Sequence, residues 1–551
     1  MVMDARKDGV VEFRAKGAVE LLDPWTGTTR PLRVVGETPT GTQVELPMES
    51  YEAQVVAFTP GKKHIQPPPK DSRPEVRRTL AANWNIGFLP TMDNSHGDFR
   101  LPVTADNKVI GVEARRFSWA RETEDLANTA MLPATDDRAW EKKLHGYGTQ
   151  FYVLGPIPQD VETLQLDAEL ARLKVVDPKV PVMVSGKTLV WQPYDFSWRY
   201  GKEGDSGHQG YHGLKRTVTD DFLCLGRPVS GLNETRYEPD GGRYYLWTSA
   251  TVANATKAEI LPSRSAPADK GHTSPVITPA ALYLNGALVP DLEQSVELRA
   301  GANPVLVRYD RGGRGHFVMR RYGIPTPTER QALAMRWFGD AGVIPFDVWA
   351  GARSAEWLRF VTAPGTAAIR VQAHGTVEAW IDGEPMREDG KERFVGRKSK
   401  GAAAIVALRV KPETGFSGGA AIPEPVLVET DGTGTLELGD WSKVGILNNY
   451  SGGVRYTTHV WLTANEALGS QILDLGKIAG TAEVHVNGKS VSVKVAPPWM
   501  VEVTGFLKKG ENKVDVLVYN SLANHYQTVP SNYRGNPVSG LLGPVQLISR
   551  D

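Results

Sequence analysis

Apolar and polar positions alternate with period two along much of this chain, in short runs that end at the same few turn dipeptides. The clearest run ends at Val486, turns through Asn487-Gly488, returns as a second strand, and reaches Gly510-Glu511-Asn512 before Val514, Val516 and Val518 alternate again. An earlier copy has Leu282 to Leu284 running into Asn285-Gly286, then Gly301-Ala302-Asn303 followed by Val305 and Val307. A weaker copy has Val377 to Ile381 running into Asp382-Gly383, with Ala404, Val406 and Leu408 alternating later. Asn-Gly and Asp-Gly between alternating runs predict tight hairpins, because both turn residues of a type I′ turn need positive φ. The pattern predicts an all-β chain built of serial β-sandwiches.

Breaks in the pattern suggest four units. Residues 1–60 read as strands only, around Val11, Val19, Val44 and Val55, and amount to half of a sandwich whose start is truncated. The segment Pro60 to Arg73, with Pro67-Pro68-Pro69, reads as an extended linker, since proline supplies no backbone donor to a sheet. Residues 77–322 read as a β-sandwich with insertions. They include a strand from Trp84 to Leu89, a turn at Asp93-Asn94, a helix from Val161 to Leu173 capped by Asp160, and strands at Thr188 to Trp191 and Tyr244 to Val252. After a proline linker at Ile324 to Thr328, a short helix to Trp337 opens a third unit, 328–415. Gly415 to Pro425 reads as a linker, and 426–551 as the last unit.

Composition narrows the function. Lys plus Arg and Asp plus Glu are equal at 63 each, so there is no net field for a polyanion, and nucleic acid is not expected as a partner. The 56 Gly, 38 Pro and 14 Trp of the 551 residues fit a turn-rich, aromatic-rich β protein. Cys224 is the single cysteine, which excludes an intramolecular disulfide, and its neighbours Phe222, Leu223 and Leu225 predict a buried thiol. No apolar stretch approaches the ~20 residues of a membrane span, and Met1 to Val10 lack the apolar core of a signal peptide, so no membrane partner is expected.

Two glycine motifs fail as phosphate loops. Ser185-Gly186-Lys187-Thr188 and Gly488-Lys489-Ser490 have Pro181 and Glu483 where the loop needs its first glycine. The segment from Trp191 to Tyr200, followed by Gly204 to Gly213, gathers Asp205, His208 and His212 among glycines and aromatics. Three readings stay open for it: a metal site, a sugar or domain contact, and plain loop packing. The last unit offers a different set in Trp441, Asn449, Tyr450, Arg455, Asn524, Tyr526, Tyr533 and Arg534. Aromatic faces pack on the C–H face of a pyranose while amides and guanidinium groups read its hydroxyls, so these are candidate carbohydrate-binding residues; core packing is the competing reading. Nowhere do strands and helices alternate as a (β/α)8 barrel requires, and no catalytic acid can be nominated among the carboxylates.

The run Gly439-Asp440-Trp441, Asn449 to Tyr456, Leu473 to Gly476 and Val484 to Gly488 resembles the sugar-binding jelly roll of family 2 glycoside hydrolases. Asp23 to Gly27, Thr91 to Asn94 with Gly97 to Pro102, Gly207 to Lys215, and Asn520 to Pro544 together resemble the C-terminal half of family 106 α-L-rhamnosidases. That resemblance implies galactose-binding-like jelly-roll domains, serving as the non-catalytic C-terminal portion of an α-L-rhamnosidase-like enzyme. It implies an N-terminal catalytic barrel of the same polypeptide as partner, a rhamnose-containing polysaccharide or oligosaccharide as ligand, and an exported bacterial enzyme in the periplasm or outside the cell. The family's acid, base and calcium sit on the barrel, so the resemblance implies no catalytic residue, metal or other cofactor in this chain. The whole enzyme would invert configuration, with carboxyls roughly 6.5–9.5 Å apart flanking the bond. A self-standing carbohydrate-binding protein is the alternative.

Overall fold

The computed structural model describes residues 9–23, 27–46, 54–67, 75–92, 110–197, 201–202, 223–228, 237–238, 241–262, 276–324, 342–349, 355–397, 401–527 and 535–550. The fold is all-β: antiparallel sheets with a few short helices, and none of the described sheets closes into a barrel. The first strands form two three-stranded sheets, one centred on Thr42–Leu46 and one on Ala18–Leu22. They enclose a small core of Val19, Leu21, Leu32, Val44 and Leu46.

The remaining strands are nested rather than serial. The outermost sandwich joins a six-stranded sheet, in which Asn83–Leu89 lies between Thr435–Glu437 and Gly453–Leu462, to a four-stranded sheet in which Glu75–Thr79 pairs Gln546–Arg550. Inside it sits a second sandwich. Its six-stranded sheet runs from Glu141–Leu144 through Arg116–Arg121 to Glu356–Val361 and Ile405–Pro412, and its five-stranded sheet pairs Glu113–Ala114 with Val426–Thr430. The innermost sandwich is inserted between these halves. Its eight-stranded sheet is centred on Gly148–Ile157, Arg243–Val252 and Gly301–Tyr309, and a three-stranded sheet centred on Thr256–Pro262 covers one face.

This pairing departs from the linear division at 77–322, 328–415 and 426–551. Residues 75–92 belong to the sheets of the C-terminal unit, and residues 113–144 belong with 355–430. The physical reason is that an inner strand of a sandwich needs ladder partners on both sides, and the partners that complete these sheets lie on the far side of an insertion. The helix is Thr163–Ala171, with Glu162 rather than Asp160 at its N-cap position and no side-chain cap. It covers the other face of the eight-stranded sheet, and the buried Asp167 carboxylate takes hydrogen bonds from Tyr245 at 2.6 Å and Tyr283 at 3.0 Å and pairs with Arg308. Cys224 is buried. The Pro68–Pro69 part of the first linker, the turn at Asp93-Asn94 and the helix to Trp337 lie outside the described residues.

The hairpin signals are met with φ of 51° at Asn285, 48° at Asp382 and 51° at Asn487, each followed by a glycine in the same left-handed region. Ser185-Gly186 makes a fourth such turn, between Val182–Val184 and Lys187–Leu189. The repeated Gly-x-Asn has a shared role. Asn512 Nδ2 donates to the carbonyls of Lys508 at 2.7 Å and Gly510 at 3.0 Å, while its Oδ1 accepts from Lys508 N at 2.8 Å and from the turn residue Asn487 at 2.9 Å. Asn303 repeats this with Arg299, Gly301 and Asn285. In the weaker copy Asp382 accepts from Ile405 N at 2.9 Å, as Asn487 does from Lys513 N at 3.0 Å, but Ala404 stands where the buried asparagine would be.

Each buried asparagine therefore closes a loop against its own hairpin. Asn512→Ala and Asn303→Ala are each expected to lower stability by about 2–4 kcal/mol, because several interior backbone groups lose their partner at once. Denaturant unfolding of each variant checks this, and a loss under about 0.5 kcal/mol would refute the role.

Candidate functional site

The crossing from the middle to the innermost sandwich takes only residues 145–147, between Glu141–Leu144 and Gly148–Ile157. It is clamped by the segment that read as a linker, 415–425. Gly146 N donates to the carbonyls of Gly419 and Ile422, both at 2.8 Å, and Gly418–Ala421 forms a buried 3-10 turn against the crossing. Two glycines make the approach possible. A Cβ on Gly419 would lie 1.8 Å from Leu144 O, and one on Gly148 would lie 2.5 Å from Ser417 O.

Beside this crossing the two sandwiches leave an open cavity of about 410 Å³. Its aromatic walls come from four separate places: Trp119 on Arg116–Arg121, Trp140 just before Glu141–Leu144, Tyr152 on Gly148–Ile157, and Trp349 just after Phe346–Asp347. Its polar rim holds Arg121, Glu141, Lys143, Lys179 and Ser417.

The walls are fixed from behind. Glu356, buried, accepts from Trp119 Nε1 at 3.0 Å, Ser417 Oγ at 2.6 Å and Gly418 N at 2.8 Å, so one carboxylate sets both an indole and the clamp. Asp347, also buried, accepts from Trp349 N at 2.9 Å and Gly415 N at 3.3 Å. Lys143 Nζ lies 2.6 Å from Asp195 and 2.9 Å from Glu141, and 5.2 Å from the Trp119 ring centre. Burial opposes its charge, but the two carboxylates outweigh that and its pKa is raised. Burial pushes the Tyr152 hydroxyl up to about 12. Arg121 lies over the Trp349 indole and 5.8 Å from the Trp119 ring centre. Burial lowers its pKa, against the attraction of Tyr152, Glu356 and Glu141, and the guanidinium keeps its charge.

The carbohydrate candidates of the last unit lie elsewhere. Trp441, Asn449, Tyr450 and Asn524 are buried, so no aromatic face among them is open to a pyranose. Asn449 Nδ2 donates to Glu113 O at 3.0 Å, Tyr450 donates to Gly453 O at 2.9 Å, and Asn524 Oδ1 accepts from Ser539 Oγ at 3.2 Å. This is interior bonding between loops. Arg455 is exposed on Gly453–Leu462, and Tyr526 lies in the helix Ala523–Gln527. Tyr533 and Arg534 lie outside the described residues, as do Asp205, His208 and His212. Among the described residues no group of three His, Cys, Asp or Glu could hold a metal ion, and no helix is long and apolar enough to cross a membrane.

No protein-family model matches the chain, and no curated protein matches it. Solved structures that resemble parts of it include a rhamnosidase from Novosphingobium sp. PP1Y, at 19% identity and TM-score 0.20 over 36% of this chain and 23% of that one. They also include an uncultured Clostridium sp. β-glucuronidase, at 21% identity and TM-score 0.16 over 18% and 20% of the two chains. A β-D-mannosidase from Dictyoglomus thermophilum matches at 16% identity and TM-score 0.15 over 19% and 16%. The chain thus spans less than a quarter of the length of these structures.

Gly419→Ala should cost about 3 kcal/mol or more, since the added methyl meets backbone rather than a flexible side chain. Gly87→Ala, whose Cβ would meet nothing within 4 Å, serves as the control and should stay within about 0.5 kcal/mol. Equal melting temperatures for the two variants would show that the clamp does not depend on that close approach.

Proposed function

We propose that this chain is the non-catalytic β-sandwich portion of an exported α-L-rhamnosidase-like glycoside hydrolase, buttressing a catalytic barrel of the same polypeptide and holding glycan in the cavity between its two inner sandwiches. The observation that carries the glycan part is the cavity itself. Half-buried Trp140 and Trp349, one from each sandwich, line it beside a polar rim with the buried Trp119 and Tyr152 behind them, and Glu356 and Asp347, which hold Trp119 and Trp349, are buried and engaged. Flat apolar faces beside fixed hydrogen-bonding groups suit a sugar ring, whose C–H face and hydroxyl edge need both. Preorganised walls also reduce what binding costs in ordering. The enzyme part rests on the sequence resemblance to family 106.

A self-standing carbohydrate-binding protein would use the same cavity, and the two readings separate on partner binding rather than on glycan binding. In titration calorimetry with rhamnose-containing oligosaccharides, the chain should bind, and Trp140→Ala or Trp349→Ala should weaken binding about tenfold. No heat at millimolar ligand, or affinity unchanged in both variants, would sink the assignment to this cavity. The chain alone should release no rhamnose from such substrates.

A further inference from the structure

Around the cavity the cations Arg121, Lys143 and Lys179 stand among the carboxylates Glu141, Asp195 and Glu356, and the two cations left without a direct partner point to a ligand class. Lys143 is engaged by Asp195 and Glu141, and Asp195 also takes the Thr149 hydroxyl. Glu356 spends both oxygens on Trp119, Ser417 and Gly418. Arg121 is different. Among the described residues its side chain has ring contacts with Trp349 and Trp119 and feels the attraction of Glu356 and Glu141, but it makes neither an ion pair nor a hydrogen bond, although it is half-buried in the cavity wall. The Lys179 side chain, on the same rim, has no partner among the described residues either.

A guanidinium presents five donors in a plane and pairs best with a planar two-oxygen anion. Leaving one half-desolvated without an acceptor is unfavourable unless a ligand supplies it. The Trp349 indole beneath the guanidinium holds it in the cavity wall, where such a ligand could reach it. The neighbouring indole of Trp140, half-buried and with the Arg359 guanidinium 5.6 Å from its ring centre, lines the same cavity.

We propose that this cavity selects acidic glycans, seating the carboxylate of a uronic-acid residue on Arg121 with Lys179 beside it, while an aromatic wall packs the sugar ring. This rests on the glycan-binding reading above and narrows it to a substrate class. The probe is an oligogalacturonide, compared with its methyl-esterified form, which keeps the ring and removes the charge. The wild-type chain should prefer the free acid by ~10-fold or more at low salt, a preference that shrinks as salt rises. Arg121→Ala should abolish the preference rather than all binding, Arg121→Lys should retain part of it, and Trp140→Ala should weaken acid and ester alike. Unchanged melting temperatures for the Arg121 variants establish that the cavity persists; if Arg121→Ala fails to fold, the Lys variant and the wild-type ester comparison still decide. Equal affinity for acid and ester, or a preference that survives Arg121→Ala, overturns the inference. Binding of rhamnose-containing neutral oligosaccharide without binding of the uronate overturns it while leaving the proposed function standing. Binding of neither overturns both.

Discussion

The structure depends on one close approach: the crossing at residues 145–147 pressed against the turn at 418–421. Three sandwiches threaded inside one another could hinge freely wherever the chain passes from one to the next. Here the passage is too short to hinge, and Gly146, Gly148 and Gly419 let two backbones meet without side chains between them. Hydrogen bonds from Gly146 N then fix the inner sandwich to the same segment that carries Ser417 and Gly418 to Glu356. Because Glu356 also holds Trp119, the geometry of the crossing and the geometry of the cavity are set by one carboxylate. A buried carboxylate with three donors is stable only as a complete set, which makes the clamp and the cavity wall rise or fall together.

The polar residues of the outermost sandwich show the same logic turned inward. Amides and hydroxyls on loops resemble ligand-reading groups in a sequence, because both uses need planar donors and acceptors. Asn520 accepts from Gly452 N at 2.9 Å and donates to Tyr450 O and Ser539 Oγ, both at 3.0 Å. Asp440 accepts from Ser442 N at 3.0 Å and Ser539 N at 3.1 Å. Arg115, buried, pairs with Glu113 at 2.5 Å and reaches the His525 carbonyl at 3.0 Å. Loops that leave a sheet at its rim have backbone groups without ladder partners, and these side chains supply them.

Local chemistry was legible in the sequence and long-range pairing was not. The Asn-Gly and Asp-Gly turns, the strand at Trp84 and the buried Cys224 follow from residues a few positions apart, where turn stereochemistry and alternation decide. The nesting does not. The strand Asn83–Leu89 alternates like any other, and nothing within it says that its partner begins at Gly453. Gly415 to Pro425 has linker composition because a tight crossing and a flexible linker both call for small residues; only the carbonyl of Leu144 facing Gly419 tells them apart. The cavity escaped for a related reason. Trp119, Trp140, Tyr152 and Trp349 form no motif, since they converge only after a chain insertion has folded and both its ends have been tied down.

That placement bears on how a ligand would act. A molecule seated among these four aromatics would meet Arg116–Arg121 and the residue that leads into the last strand before the crossing, the first strand after it, and the segment by which the chain returns. It therefore binds only the arrangement in which both inner sandwiches are formed and docked. Any species binding the folded arrangement alone stabilises it by mass action, by about 2.7 kcal/mol at a hundredfold excess over Kd. Nested insertion makes folding depend on contacts remote in sequence, which form late because the intervening loop must first close. A glycan in this cavity would consequently act on the least local step in the assembly of the chain, tightening the junction that the short crossing and its glycines have already made narrow.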